Sequence, residues 1–324
     1  MNLGVVIPCY RQERFLPRTL AALEHALKDR SWSGALVLAD PGGSGALPEL
    51  SPHWTVVRAG SDRPLTPGAA RNAGLARCAP PWVLFVDADV EVNASWLERA
   101  LHEAASADAG LAGLWARLEE WFTDGPGERP GAPDLYRIGD APRECDYLAT
   151  LALYRTEALR ATGAYDARLR SEEDFELGLR LRTAGFRLRS TGGLAGRHWS
   201  APRPSFGEIG RRWRSGLCFG QGQVLRLYLG RAGLGSHLRR QAHYLAMLAV
   251  WLAAPLAWAA GGAKGLAFWS LVPLGLLLLM TLRKRSARLA VHSLLTWSVN
   301  AAGLVVGFVR GAERVPALPG ESPC

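Results

Sequence analysis

Cysteine pairs are missing from this 324-residue sequence. The five cysteines, Cys9, Cys78, Cys145, Cys218 and Cys324, are odd in number and scattered without paired spacing. That excludes a disulfide framework and leads us to expect reduced thiols in a cytosolic compartment. The N-terminus, Met1-Asn2-Leu3-Gly4-Val5-Val6-Ile7-Pro8, lacks a basic n-region and a small-residue cleavage site; it reads as a first strand and not as a secretory signal. Acids are nearly absent from the C-terminal part. Residues 1–196 hold 26 of the 29 acidic and 22 of the 38 basic residues, a balance of −4, whereas residues 197–324 hold 3 and 16, a balance of +13. The net charge of +9 therefore resides wholly in the second part. Because that part also contains long apolar stretches, its charge is expected to face anionic lipid, with no nucleic acid as a partner.

What is present is an alternation of strands and helices. Leu3 to Ile7 reads as a strand, followed by a turn at Pro8 and a helix from about Glu13 to Leu27. Further strands are expected at Ala35 to Ala39, ending at Asp40 and the turn Pro41-Gly42-Gly43, and at Thr55 to Arg58. A helix through Ala69 to Arg77 leads into the apolar run Trp82-Val83-Leu84-Phe85-Val86, and Ser95 is expected to cap a helix reaching Ala105. This order argues for an α/β fold, a doubly wound, mostly parallel sheet with right-handed crossovers. The Gly-, Pro- and charge-rich segment from Glu119 to Glu144 reads as a mobile loop. Tyr147 to Tyr154 reads as a strand, Thr156 to Ala161 as a short helix, and Ser171 as the cap of a helix that reaches Thr183 and stops at Gly185.

Beyond Arg240 the composition changes. Ala242 to Ala260 and Gly265 to Leu282 are nearly uncharged and joined by Gly261-Gly262-Ala263-Lys264. Each approaches the roughly 20 residues needed to span a bilayer, so a helical hairpin is expected. Two buried core helices are the competing reading, but such tandem lengths with basic flanks seldom arise in soluble folds. Arg239-Arg240 before the hairpin and Arg283-Lys284-Arg285 after it place both flanks, and the N-terminal domain with them, in the cytoplasm at the inner membrane. Leu289 to Val309 contains His292, Ser293, Thr296, Ser298 and Asn300, and either spans the membrane or lies in its interface. The expected division is a catalytic domain at 1–220, a basic juxtamembrane connector at 221–241, membrane helices at 242–310 and a tail at 311–324.

Asp87-Ala88-Asp89 directly follows the unalternating run Trp82–Val86. Such a run reads as a strand covered on both faces, and its carboxyl end is where parallel sheets bind ligands. Two carboxylates one residue apart need a cation to offset their repulsion, and oxygen ligands suit Mg²⁺ or Mn²⁺. Upstream, Pro67-Gly68-Ala69-Ala70-Arg71-Asn72 could place a guanidinium and helix-start amides against phosphate oxygens, or be an ordinary capped helix. Four acids within Glu172-Glu173-Asp174-Phe175-Glu176 suit the first turn of a helix, and equally supply a base whose pKa its neighbours can raise. His198, in Arg197-His198-Trp199 after the last expected strand, is of a type more often structural than ligating, although neutral imidazole does bind Mn²⁺-class ions.

Five segments in this order resemble family 2 glycosyltransferases of the GT-A fold: Val6-Ile7-Pro8-Cys9-Tyr10, Pro67 to Leu75, Phe85 to Asp89, Gly163-Ala164-Tyr165-Asp166, and Glu173 to Phe186. The resemblance covers about residues 3 to 220. It implies that Pro8, Tyr10 and Asp40 line a nucleoside pocket and that Arg71 approaches the diphosphate of a UDP- or GDP-type sugar donor. It further implies that Asp87 and Asp89 form the metal motif, with Asp89 the direct ligand and His198 the late metal-site histidine. Asp174, beside Glu173, matches the catalytic base. Three departures stand out. The family has Asn-Glu where this chain has Arg11-Gln12, and a paired acid before Gly-Ser where Asp40-Pro41-Gly42-Gly43-Ser44 keeps one acid. Ile209-Gly210-Arg211-Arg212-Trp213 keeps the Arg-Trp of the processive synthases' Gln-x-x-Arg-Trp but lacks its Gln, which argues against a polymer-extruding enzyme. The expected function is inverting sugar transfer to a hydroxyl of a lipid-linked or saccharide acceptor. The competitors are a polyprenyl-phosphate glycosyltransferase, a silent nucleotide-sugar-binding scaffold and a nucleotidyltransferase.

Overall fold

Four parallel strands form the first half of the sheet: β1 (Leu3–Cys9), β2 (Trp32–Leu38), β3 (Trp54–Arg58) and β4 (Trp82–Val86) lie in the order β3-β2-β1-β4. The second half adds β5 (Val90–Val92), β6 (Leu111–Asp124), β7 (Gly127–Pro130), β8 (Arg143–Glu144), β9 (Leu151–Arg155) and β10 (Arg187–Ser200). The sheet continues from β4 as β9-β6-β10-β5, with β7 on β6 and β8 on β10. β9 runs antiparallel to both β4 and β6, and β6 and β10 pair in parallel. The computed structural model describes residues 2–42, 47–60, 63–78, 80–124, 127–200 and 206–313. It divides into two compact units, one within residues 1–202 and the other within residues 203–313.

Both faces of the first unit's sheet are covered. Leu3, Val5 and Ile7 of β1 and Leu84 and Val86 of β4 pack with α1 (Leu16–Leu27) and α3 (Ala94–Ser106). Val6, Val83 and Phe85 point the other way, towards α2 (Pro67–Leu75), α4 (Thr156–Thr162) and α5 (Glu173–Thr183). This is why the β1 and β4 sequences show no polar alternation. α2 lies very close to the sheet: a Cβ on its Gly74 would come within 2.3 Å of Val6 Cγ1.

Several expectations are corrected. Glu119 to Glu144 is no simple loop, because its first residues complete β6 and fold back as a hairpin with β7, in the register Phe122 opposite Arg129. The Tyr147–Tyr154 strand begins only at Leu151. α3 is capped by Asn93, whose side-chain oxygen accepts from Trp96 N at 3.2 Å, and Ser95 lies inside the helix. α5 is preceded by Glu172 in a left-handed conformation (φ 67°), so Ser171 does not cap it. Arg197-His198-Trp199 lies within β10 and not after it. The expected Gly185 stop is correct: its φ is 88°, and Phe186 N donates to Leu181 O, closing the helix end.

The second unit is helical. It comprises α6 (Phe206–Arg214), α7 (Gly220–Leu227), α8 (Leu234–Arg240), α9 (Ala242–Lys284) and α10 (Ala287–Arg310). α9 breaks at Gly262 (φ 53°, ψ −135°) and doubles back. Trp269 Nε1 donates to Val250 O at 2.7 Å, whereas 19 residues of continuous helix would hold them about 28 Å apart. The two halves form the expected hairpin. Its outer surface is apolar and bare, with Leu256 70% and Phe268 77% exposed, which is unlike a soluble core helix. α9 and α10 are both long and apolar enough to cross a membrane. In α10, Gly303 and Gly307 pack against the carbonyls of Cys218 and Phe219, a small-xxx-small approach at the start of α7.

Candidate active site

The carboxyl ends of β1, β2 and β4 converge. Tyr10, 41% exposed, follows β1, and Asp40 follows β2. The two are brought side by side by the bond from Ala39 N to Cys9 O at 2.8 Å. Pro8, opposite Val37 in the register, is half-buried behind them. Arg11 takes a left-handed backbone conformation (φ 56°) and places Nε 2.5 Å from Asp40 Oδ2, with its guanidinium 5.3 Å from the Tyr10 ring centre. This hydrogen bond holds the Asp40 carboxyl below the usual carboxylate range. Gly42 N also donates to Asp40 Oδ1 at 3.2 Å; Gly43 and Ser44 of that expected turn lie outside the described residues.

Asp87 and Asp89 face different partners. After β4 the chain turns through a bond from Val90 N to Asp87 O, and Asp87 N donates to Thr150 O at 2.9 Å. β5 then pairs antiparallel with β10, setting His198 opposite Val90 and letting Trp199 N donate to Asp89 O. This pairing, which spans more than a hundred residues of sequence, brings His198 Nε2 within 3.5 Å of Asp89 Oδ2. Asp89 is 6% exposed, and burial pushes its carboxyl up to about 6, against the pull of His198. Gln12 Nε2 donates to Asp89 Oδ2 at 2.5 Å. Asp87 instead gives Oδ1 to Arg71 Nη2 at 2.9 Å.

Arg71 joins the metal motif to the expected catalytic helix. Its guanidinium, buried at 5% exposure, lies 2.7 Å from Glu173 Oε1 and 3.8 Å from Asp174 Oδ1, and stacks 5.2 Å above the Tyr165 ring. The Gly163-Ala164-Tyr165-Asp166 segment is pinned to α2 by Asn72, which donates to Tyr165 O and accepts from Tyr165 N. The start of α2 is closed: Thr66 caps Ala69 N, and Gly68 packs against Asp166 O. Here Thr66 takes the Ala69 amide of this helix start, and the Arg71 guanidinium is paired with Asp87 and Glu173. Burial pushes the Asp174 carboxyl up to about 8, opposed by Arg71 and reinforced by Glu173 and Asp87. Glu176 turns away to pair with Arg180 at 2.7 Å.

The residues around Asp89 suit a divalent cation. Asp89 Oδ1 and His198 Nδ1 are buried without a hydrogen-bond partner among the described residues, so donor capacity is left over. No group of three His, Cys, Asp or Glu that could hold a metal by itself occurs among those residues. Three contributors escaped sequence reasoning. Arg11 and Gln12 registered only as departures from a pattern, yet they partner Asp40 and Asp89. An amide at position 12 donates to Asp89, where a glutamate would add a third carboxylate. Thr150 (φ 59°), which positions Asp87 and bonds the Tyr136 hydroxyl, carried no sequence signal.

Residues 4–163 match the family described as glycosyl transferase family 2. A pre-mycofactocin glycosyltransferase of Mycobacterium tuberculosis (strain ATCC 25618 / H37Rv) is 36% identical over 136 residues, which is 38% of this chain. The match spans 28% of that relative's length. S. aureus TarS 1–349 in complex with UDP-GlcNAc superposes with a TM-score of 0.50 at 16% identity, covering 99% of this chain and 95% of that one. The mannosyltransferase PcManGT from Pyrobaculum calidifontis, in complex with GDP-Man and Mn²⁺, gives 0.51 at 16% identity, covering 95% and 86%. At such identities the structural likeness speaks for the fold. Residues 4–163 are a glycosyl transferase family 2 domain, and the N-terminal unit that contains them has the GT-A fold.

Proposed function

We propose that this enzyme moves a sugar from a UDP- or GDP-type donor to a hydroxyl of a saccharide or lipid-linked acceptor, with inversion, at the cytoplasmic face of a membrane. The observation that carries this reading is the placement of Arg71 between Asp87 and Glu173, with Asp174 3.8 Å away: one cation fixes the donor-side motif and the base-bearing helix in a single unit. Tyr10 and Asp40 hold the nucleoside, and Arg11 must share Asp40 with it. Asp89 and His198 would hold Mn²⁺ or Mg²⁺, which when bound supplies positive charge to the leaving diphosphate. Gln12 keeps the Asp89 carboxylate oriented. Asp174 takes the proton of the acceptor hydroxyl as that oxygen attacks the anomeric carbon from the face opposite the diphosphate. One displacement inverts the centre, so no covalent sugar-enzyme intermediate is required. The test is product analysis with donor and acceptor panels. Release of nucleoside diphosphate with an anomeric configuration opposite to the donor's is expected; release of pyrophosphate, or retention, contradicts the reading.

Cation affinity carries a pH signature. With the Asp89 carboxyl raised to about 6 by burial, a cation must displace a proton below that pH and none above it. Mn²⁺ affinity, measured by calorimetry on the full chain, is expected to weaken by up to about tenfold per pH unit below about pH 6 through this group and to be insensitive to it above that pH. A flat profile from pH 5 to 7 contradicts Asp89 as ligand.

The α9 hairpin anchors the enzyme by covalent linkage, close to lipid-borne acceptors. The full chain is expected to sediment with membranes, to resist alkaline carbonate and to be released by detergent. Recovery of a monodisperse chain from a high-speed supernatant without detergent rules the hairpin out as an anchor.

A further inference from the structure

We propose that the cavity between the Arg143–Tyr147 segment and α5 is the acceptor subsite, and that it takes the ring of a neutral saccharide. The proposal rests on the glycosyltransferase reading above and adds the acceptor's location and class. The cavity has a volume of about 390 Å³ and is lined by Trp115, Tyr136, Arg143, Cys145, Tyr147 and Arg182, among others. This falls in the lower part of the roughly 300–1,000 Å³ typical of small-molecule sites.

Two of its walls adjoin the catalytic acids. The Tyr136 hydroxyl bonds Thr150 Oγ1, and Thr150 O accepts the amide of Asp87. The Tyr147 ring lies edge-on, 5.9 Å from Phe175, the residue after Asp174. The carboxylates of Asp87 and Asp174 reinforce the upward shift that burial gives the Tyr136 hydroxyl, as expected for a ring beside both. Tyr136 and Tyr147 thus tie the cavity to Asp87, through Thr150, and to the start of α5, where Asp174 lies.

The lining selects the chemistry. Trp115, Tyr136 and Tyr147 form a continuous aromatic wall, with Trp115 5.5 Å from Tyr136 and 6.0 Å from Tyr147. Such a wall gives the C–H face of a sugar ring an apolar surface to lie on. The polar rim carries Arg143 and Arg182 against Glu144 and Asp146, so it has no excess of either sign. Hydroxyls both donate and accept, and a rim of mixed donors and acceptors suits a polyol. Arg182 is itself held by Asp146, through Nη1 at 3.1 Å and through Nε to the carbonyl at 3.0 Å. Its Nη2 is buried with no hydrogen-bond partner among the described residues.

Cys145 provides a reporter that does not depend on turnover. Among the described cysteines it alone is partly exposed, since Cys9, Cys78 and Cys218 are buried. With Cys324→Ser in the full chain in detergent, labelling of Cys145 by N-ethylmaleimide is followed by mass spectrometry. The probes are methyl glycosides of common hexoses and the same glycosides on long alkyl chains, which separate a soluble acceptor from a lipid-borne one. A glycoside at about ten times its dissociation constant is expected to slow labelling roughly tenfold, because only free protein reacts. Tyr147→Ala and Arg182→Gln, each checked for an intact melting transition, are expected to abolish the protection and to raise acceptor KM roughly tenfold. Absence of protection by every glycoside, or unchanged KM in both variants, overturns the proposal. The rise in Tm of the unsubstituted chain with nucleotide sugar tests the underlying reading separately: a donor response without glycoside protection refutes the subsite alone, and no donor response refutes the reading beneath it.

Discussion

Asp174→Asn is expected to reduce sugar transfer to a hydroxyl acceptor by about 10²–10⁴-fold, the usual range for a removed general base, while a nucleotide sugar still raises the Tm of the variant. The reason lies in what surrounds this carboxyl. Burial, the neighbouring Glu173 and Asp87 push it up to about 8, and only the Arg71 guanidinium 3.8 Å away works in the other direction. At pH 7 a group of that pKa is ionised in roughly one molecule in ten. Transfer is therefore expected to climb about tenfold per pH unit below about 8 and to level off above it. The same shift has an opposite consequence for stability. A carboxyl whose folded pKa lies above its unfolded value makes the folded state bind the extra proton, so stability falls as pH rises from the unfolded value to the folded one. Asparagine carries no charge to bury, so the donor-free variant should melt above the parent chain at pH 8–9 while being far less active. Near-parental turnover in Asp174→Asn would instead point to an acceptor that is already an anion, as a polyprenyl phosphate is.

Arg71→Met is expected to destabilise the first unit strongly. It leaves Asp87 Oδ1 and Glu173 Oε1, now 2.9 and 2.7 Å from the guanidinium, without their cation, and Glu173 is only 7% exposed. Removing one partner of a buried pair typically costs about 3–5 kcal/mol, or roughly 6–20 °C in Tm for a domain of this size. Adding Glu173→Gln should recover part of the loss, because the stranded charge is then gone. A loss below about 1 kcal/mol, as expected of an exposed pair, contradicts the bridging role. So does a double variant no more stable than the single one. Without Arg71 the Asp174 carboxyl also loses its one opposing influence, and the rising limb of the pH profile should move to higher pH in whatever folded protein remains.

The first half of the fold was legible because its sequence is governed by burial alone. β1 and β4 are apolar without alternation since helices cover both faces, and their carboxyl ends mark where ligands bind. The second half was less so. β6 carries Glu119-Glu120 near its end and runs into a Gly- and Pro-containing hairpin, so composition there reads as loop although Trp121 and Phe122 are paired with β7. The start of α5 was misplaced because Glu172 adopts a conformation that L residues rarely take. Within the site, residue type announced Asp89 and Asp174, but not what they touch. The Asp89–His198 pair depends on β5 meeting β10, and the Asp87–Arg71–Glu173 bridge on α2 lying against α5; such long-range pairings leave no local periodicity. Arg11 and Gln12 were visible as departures, but their partners emerged only when β1 was set between β2, which ends at Asp40, and β4, which leads to Asp89.

The most direct measurement is anomalous diffraction at the manganese edge from crystals of the full chain with Mn²⁺ and a non-transferable UDP- or GDP-sugar. The expected result is a single strong peak within coordination range of the Asp89 carboxylate and His198, with diphosphate oxygens completing the ion and Asp174 facing the anomeric carbon. A peak elsewhere contradicts the mechanism, as does bound donor with Asp89 engaged only by Gln12 and no ion beside it.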